Sequence, residues 1–269
     1  MPSDGAAVAL ISRSILSTGI YELWGRGTDY AALHRDVQVR MAGTLPSYRN
    51  TSFYFNFDSF RGKKPSSEQR KLIEDFGWLQ LEGPIYAKDA ELQLFLFEQY
   101  ALNVLEPDEV FLGRRIALSG RHAINIYDLK KRCYISTTSM DAELALVTAN
   151  IALASPGKLF YDPFMGTGGF AIACAHFGAS VVGSDIDGRS IRGQKGRNVV
   201  TNFEQYELSS FHLDDFVADL TNTPVRTSRF LDGIVCDPPY GVREGLKVLG
   251  KKNDRVRERV YNEGMPAHL

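Results

Sequence analysis

Apolar positions along the chain change their period near its middle. In the first half, Tyr48 to Phe57 alternates aromatic and polar residues, with Phe53, Phe55 and Phe57 on one face, as in a half-buried strand. Pro65 opens a short helix predicted from Ser66 to Phe76, and Gly77 closes it. Leu92 to Tyr100 and Val110 to Ala117 are apolar enough to be strands. These pieces predict an α+β region without an evident catalytic constellation.

The second half is more regular. Thr138-Ser-Met-Asp141 is a capping-box signal before an apolar helix predicted from Ala142 to Ala154, which Ser155-Pro-Gly157 stops. A strand from Leu159 to Tyr161, a glycine-rich turn and a helix from Gly169 to Phe177 follow. Next come a strand from Ser180 to Ser184, a long polar helix from about Gly188 to Phe203, a weaker strand near Val217, and a strand from Gly233 to Cys236. Strands alternating with helices predict a parallel sheet with right-handed crossovers. Ligands then bind at the carboxyl ends of the strands.

Composition narrows the classes. The chain is 44% hydrophobic and 23% charged, the balance of a globular protein with a buried core. No apolar run reaches membrane-spanning length and no signal peptide opens the chain, so no membrane role and a cytoplasmic location are expected. The 3 cysteines and 5 histidines are scattered, which supports neither a disulfide framework nor a metal site. With Lys+Arg 31 against Asp+Glu 32, bulk charge does not announce a nucleic-acid partner. Phosphate contacts must come from local clusters: Arg61-Gly-Lys-Lys64, Arg114-Arg115 or Lys130-Lys-Arg132.

Three strand ends carry chemistry. Asp162-Pro-Phe-Met-Gly166-Thr-Gly168-Gly169 combines an acid with glycines that let the backbone turn sharply and approach a ligand, ahead of a helix N-terminus. Asp185-Ile-Asp187, at the next strand end, can accept both hydroxyls of a ribose. Alone, these leave NAD, FAD and S-adenosylmethionine open. Asp237-Pro238-Pro239-Tyr240-Gly241 decides among them. The lone pair of an amino group on a base is delocalised into the ring, so its attack on a methyl group needs acceptors aimed at both N–H bonds. The Asp237 carboxylate and the Pro238 carbonyl supply them, with the prolines fixing the backbone. Tyr240 offers a flat face to the base.

These residues resemble the amino-methyltransferases, and within them the eukaryotic tRNA guanine-10 N2-methyltransferase family. The likeness rests on Thr138-Ser-Met-Asp141, Tyr161 to Gly169, Ala175-His-Phe-Gly-Ala179, Gly183-Ser-Asp-Ile-Asp187 and Asp237 to Glu244. Upstream, Tyr21 to Gly27, Phe111-Leu-Gly-Arg114 and Leu129-Lys-Lys-Arg132 extend it more loosely. The resemblance implies an α/β, Rossmann-like S-adenosylmethionine-dependent methyltransferase domain over residues 134–269. A THUMP-type α+β RNA-binding region and linker would occupy residues 1–133. It assigns Asp162, Phe164, Gly166 and Gly168 to the methionine end of S-adenosylmethionine, Asp185 to the ribose and Asp219 to the adenine, with Asp214 and Asp215 as close alternatives. Asp237, Pro238, Pro239 and Tyr240 form the catalytic motif. Lys130, Lys131 and Arg132 contact tRNA phosphates, and a small zinc-binding activator subunit is the protein partner. The family pattern further implies that this chain starts late and stops before a fifth strand and an antiparallel pair, so that residues 1–269 alone are expected to be poorly soluble and inactive. The rivals are an N6-adenine methyltransferase on DNA or another RNA, and a catalytically silent RNA-binding fragment.

Overall fold

A computed structural model describes residues 3–239, which form two compact units divided between Ala123 and Ile124. The Tyr240 assignment lies outside the described residues.

The first unit is a four-stranded mixed sheet of order β1-β4-β3-β2 with helices against one face. Its elements are α1 (Asp4–Ser12), β1 (Gly19–Gly27), α2 (Tyr30–Met41), the turn α3 (Leu45–Tyr48), β2 (Phe53–Phe60), α4 (Ser66–Glu74), β3 (Leu92–Gln99) and β4 (Glu109–Leu118). Asp29 starts α2 by accepting the Ala32 amide at 2.7 Å, and Leu33, Val37 and Met41, four apart, turn to the sheet. They meet Trp24, Leu94, Leu96 and Leu112 in a closed core, onto which Phe53, Phe55 and Phe57 pack as their alternation predicts. The strand itself starts later than predicted. Thr44 begins a helical turn with a proline in its first positions, and Tyr48 closes that turn instead of entering β2. Helix α4 ends at Glu74, where a 3₁₀ turn, Asp75–Leu79, takes over and buries Phe76 and Leu79.

A single turn, α5 (Ala123–Ile126), follows in sequence. The second unit holds α6 (Ala142–Ile151), β5 (Leu159–Asp162), α7 (Gly169–His176), β6 (Ser180–Asp185), α8 (Gly188–Arg192), α9 (Val199–Gln205), β7 (His212–Val217) and β8 (Gly233–Ile234). The strands are parallel in the order β7-β6-β5-β8. The order reverses around β5, so the β5 and β8 ends define a crevice. Helix α7 is apolar on all sides and buried from Phe170 to Ala175.

Two local expectations are corrected. Asp141, not Thr138, caps α6: its carboxylate accepts the Glu143 and Leu144 amides at 2.9 and 3.2 Å, while Thr138 bonds the Ser136 hydroxyl. The long polar helix is two helices. Gly193 adopts φ +68°, where a Cβ would lie 1.8 Å from the Arg197 carbonyl oxygen, and Asn198 then opens α9 with a reciprocal capping box to Thr201. Among the described residues no helix is long and apolar enough to cross a membrane, and no group of three metal-binding side chains gathers.

Candidate cofactor and base site

The glycine loop between β5 and α7 is shaped by φ values that only glycine adopts freely: +53° at Gly166 and +83° at Gly168. Gly168 stands at the N-cap of α7, where no side chain caps the helix. Met165 anchors the loop from below. Its amide donates to the Ser184 carbonyl at 2.9 Å, and its thioether lies against Gly183, where a Cβ would clash with the sulfur at 1.9 Å. From the side, Asn202 of α9 is fully buried and makes a double clasp. Its Nδ2 donates to the carbonyls of Thr167 (3.0 Å) and Tyr134 (2.8 Å), and its Oδ1 accepts the Tyr134 amide (3.0 Å). The Thr167 hydroxyl meets that of Ser139 at 2.8 Å.

Asp185, at the end of β6, is part of the same loop. One carboxylate oxygen accepts the Gly166 amide at 2.9 Å and the other the Asp187 amide at 2.8 Å. Each oxygen has a second lone pair, so the side chain can hold the loop and still accept ribose hydroxyls. Asp162 is buried at the end of β5 and accepts the Phe164 amide at 3.0 Å. Burial pushes its carboxyl up to about 7; the nearby charges of Asp185 and Asp237 add to that, and the Phe164 amide opposes it.

Of the three candidate adenine acids, only Asp219 follows the end of β7. It is buried and accepts the amide and hydroxyl of Thr221 at 2.9 and 2.7 Å. Asp214 and Asp215 lie within the strand; Asp214 is exposed, and Asp215 faces His212 at 3.3 Å. Asp237 is half-buried just past β8, beside β5, followed by exposed Pro238 and Pro239. Asp162, Asp185, Asp219 and Asp237 therefore stand at successive carboxyl ends of one parallel sheet. A separate apolar cavity of about 550 Å³, lined by Tyr161, Val182, Phe216 and Phe230 among others, uses none of these acids.

Sequence reasoning misplaced one residue and missed several. Lys130 and Lys131 are exposed, and Lys131 donates to the Asn125 carbonyl at 2.6 Å. Arg132 is 6% exposed, so it cannot be the surface phosphate contact expected of it. The turn at Asp128–Lys131 swings it inward, where its guanidinium lies 6.0 Å from the Tyr206 ring centre and points to the Tyr127 carbonyl. Tyr134, Ser139, Thr167 and Asn202, which brace the glycine loop, carry no chemical signature in sequence; Thr167 and Ser139 stand within conspicuous runs, Asn202 in none.

The fold and these strand ends fit a methyltransferase domain preceded in sequence by a separate α+β unit. Accordingly, residues 1–121 match the Tmrp11 THUMP N-terminal domain and residues 130–252 the RMKL-like methyltransferase domain. The chain is similar over most of its length to curated proteins named tRNA (guanine(10)-N(2))-methyltransferase. It is 45% identical to the protein of that name from Schizosaccharomyces pombe, over 91% of this chain and 52% of that one. It is 42% identical to that of Saccharomyces cerevisiae, over 94% of this chain and 60% of that one. The chain thus spans a little over half the length of these curated relatives. Among solved structures, TrmN from Thermus thermophilus aligns over 86% of this chain and 66% of its own, at 20% identity and a TM-score of 0.44.

Proposed function

We propose that this chain carries the catalytic unit for methylation of the exocyclic N2 of a guanosine in tRNA, at the position 10 that its relatives' names specify, with S-adenosylmethionine as methyl donor. The carrying observation is Asp237 beside the Asp162–Gly168 loop, each at the carboxyl end of a neighbouring parallel strand.

The glycine loop fits the donor. The left-handed glycines keep the loop close and bare, and a Cβ at Gly166 would meet nothing nearer than the Phe164 carbonyl at 3.9 Å, so the space above it is open. Asp162, Phe164, Gly166 and Gly168 would hold the methionine end, Asp185 the ribose and Asp219 the adenine. The donor supplies an electrophilic methyl group. The chain's own residues do the rest: Asp237 and the Pro238 carbonyl accept the two N–H bonds of N2, which localises the nitrogen lone pair. The proton that N2 sheds passes to the Asp237 carboxylate. Tyr240 is assigned the stacking face from sequence. The base leaves its helical stack to reach this edge, at a cost of about a few kcal/mol.

In this reading residues 1–133 hold tRNA, with Lys130 and Lys131 on phosphates, and residues 134–269 carry the transfer. A small zinc-binding activator is the second subunit, and the complex works in the cytoplasm. The test is nucleoside mass spectrometry of unmodified tRNA transcript incubated with a chain extended to its relatives' length, the activator and labelled donor. N2-methylguanosine is expected. Labelled N6-methyladenosine instead would overturn the choice of base, and a folded chain that binds RNA but not the donor would establish the silent-fragment alternative.

A further inference from the structure

The sheet of the first unit has a second face. Strand side chains alternate, so while Leu92, Leu94 and Leu96 enter the core, Phe95 and Phe97 of β3 point the other way and are half-buried. Tyr21 of β1 reaches across β4 to meet both rings edge-on, at 5.0 and 4.9 Å between centres. Gly113, paired with Phe95 in β4, permits that reach: a Cβ there would sit 3.3 Å from the Tyr21 Cβ and 3.1 Å from the Glu22 carbonyl oxygen. Arg115 lays its guanidinium over Phe95 at 5.4 Å. On β2, the alternation that turns Phe53, Phe55 and Phe57 inward turns Phe60 outward, 61% exposed, with Arg61 stacked over it at 4.8 Å.

Two features separate this face from a cut-open core. Its rings are aromatic, not aliphatic, and two of them already carry a stacked guanidinium. Neither Arg61 nor Arg115 has an ion-pair partner among the described residues, so the N–H edges of both stay available to an anion. The face also carries Asp58 of β2, opposite Phe97, but flat rings beside two cations outside any described ion pair match a ligand that is itself planar and anionic in alternation. Unpaired nucleotides have that form, with bases that stack and phosphates that pair with arginine. Duplex RNA hides its bases and offers only the second half.

We propose that this open sheet face, centred on Phe95, Phe60, Arg61 and Arg115, is a docking platform for unpaired nucleotides of the RNA substrate. The assignment rests on the reading that tRNA is the substrate, and adds which part of the RNA the first unit takes and with which residues.

The experiment measures binding of a fluorescein-labelled single-stranded RNA and of a duplex RNA to the full chain with its activator, by anisotropy across a salt series. Two double variants are compared with the unaltered protein. Phe60→Leu with Phe95→Leu keeps the face apolar but removes the stacking surface. It should weaken single-strand binding about tenfold and leave duplex binding unchanged. Arg61→Gln with Arg115→Gln, both on the surface, should flatten the slope of log Kd against log salt for the single strand by about 1.4, the value for two phosphate contacts. Single-strand affinity and salt slope equal to those of the unaltered protein in these variants would overturn the platform. So would equal loss on single strand and duplex, or sedimentation showing that the variants split a dimer while RNA binding persists. Absence of methylguanosine from an otherwise unaltered chain extended to its relatives' length, whose single-strand binding depends on these residues, overturns the catalytic reading and leaves the platform standing.

Discussion

The Gly166 amide donates to the Asp185 carboxylate at 2.9 Å, so the acid assigned to the cofactor ribose also holds the glycine loop in its left-handed turn. Binding and loop shape are therefore coupled through one side chain. Asp185→Ala should weaken S-adenosylmethionine binding by more than the ~1.5–3 kcal/mol of hydrogen bonds to a charged group, because the loop loses its tether as well. Asp185→Asn, which retains an acceptor for the Gly166 amide, should recover part of that loss. Calorimetry on both variants checks this; equal affinities for alanine and asparagine would show that the tether contributes nothing.

Asp162 gives a pH dependence with a defined sign. Its carboxyl is raised from 3.8 to about 7 in the folded protein, chiefly by burial. Between those values the native state binds the proton that the unfolded state has released, so stability falls as pH rises through that window and the full penalty stands above about 7. Asp162→Asn keeps an oxygen for the Phe164 amide and removes the buried charge. At pH 8 it should be more stable by about 2–4 kcal/mol, and its denaturation midpoint should vary less than the unaltered protein's between pH 4 and 7. Parallel pH profiles would show instead that the carboxyl ionises without penalty.

If Asp162 receives the cationic methionine end, the same carboxyl must be ionised to do so. Affinity for S-adenosylmethionine should then rise with pH up to about 7 and level off above it, and binding below that pH should release a proton. Calorimetry in buffers of different ionisation enthalpy reads the proton directly. A flat profile would place the cofactor's positive charge away from Asp162.

Asp237, past β8, is assigned to the target base and not to the cofactor, although it stands beside the cofactor loop. Asp237→Ala, in a chain completed to its relatives' length and with its activator, should bind S-adenosylmethionine within about twofold of normal and lose methyl transfer by about two orders of magnitude or more. Turnover near normal would make Asp237 structural.

Asn202 is a stability prediction. Fully buried, it satisfies both backbone groups of Tyr134 and the carbonyl of Thr167. Asn202→Ala removes the partner of one buried and two partly buried backbone groups and opens a cavity, for a loss of about 2–4 kcal/mol in urea unfolding. A smaller loss than ~1 kcal/mol would mean that water replaces the side chain without cost.

The methyltransferase half was the more legible in sequence because its information is local. An acid, the glycine turn, the second acid and Asp237-Pro-Pro-Tyr240 each sit at the end of an apolar run, and a parallel sheet brings such ends to one edge whatever the loops between them do. Period-two alternation likewise settled that Phe53, Phe55 and Phe57 face inward. Tertiary structure decided what depends on neighbours distant in sequence. Arg132 has the same basic character as Lys130 and Lys131, yet a turn and the rings of Tyr127 and Tyr206 bury it. Gly193 splits a helix that composition would carry through, since its φ answers to the Arg197 carbonyl. Asn202 braces the glycine loop from another helix, and Asp219 stands out from Asp214 and Asp215 only once β7 is seen to end at Val217. A side chain's residue type is written in the sequence, but its burial and partners are set by packing between segments far apart along the chain.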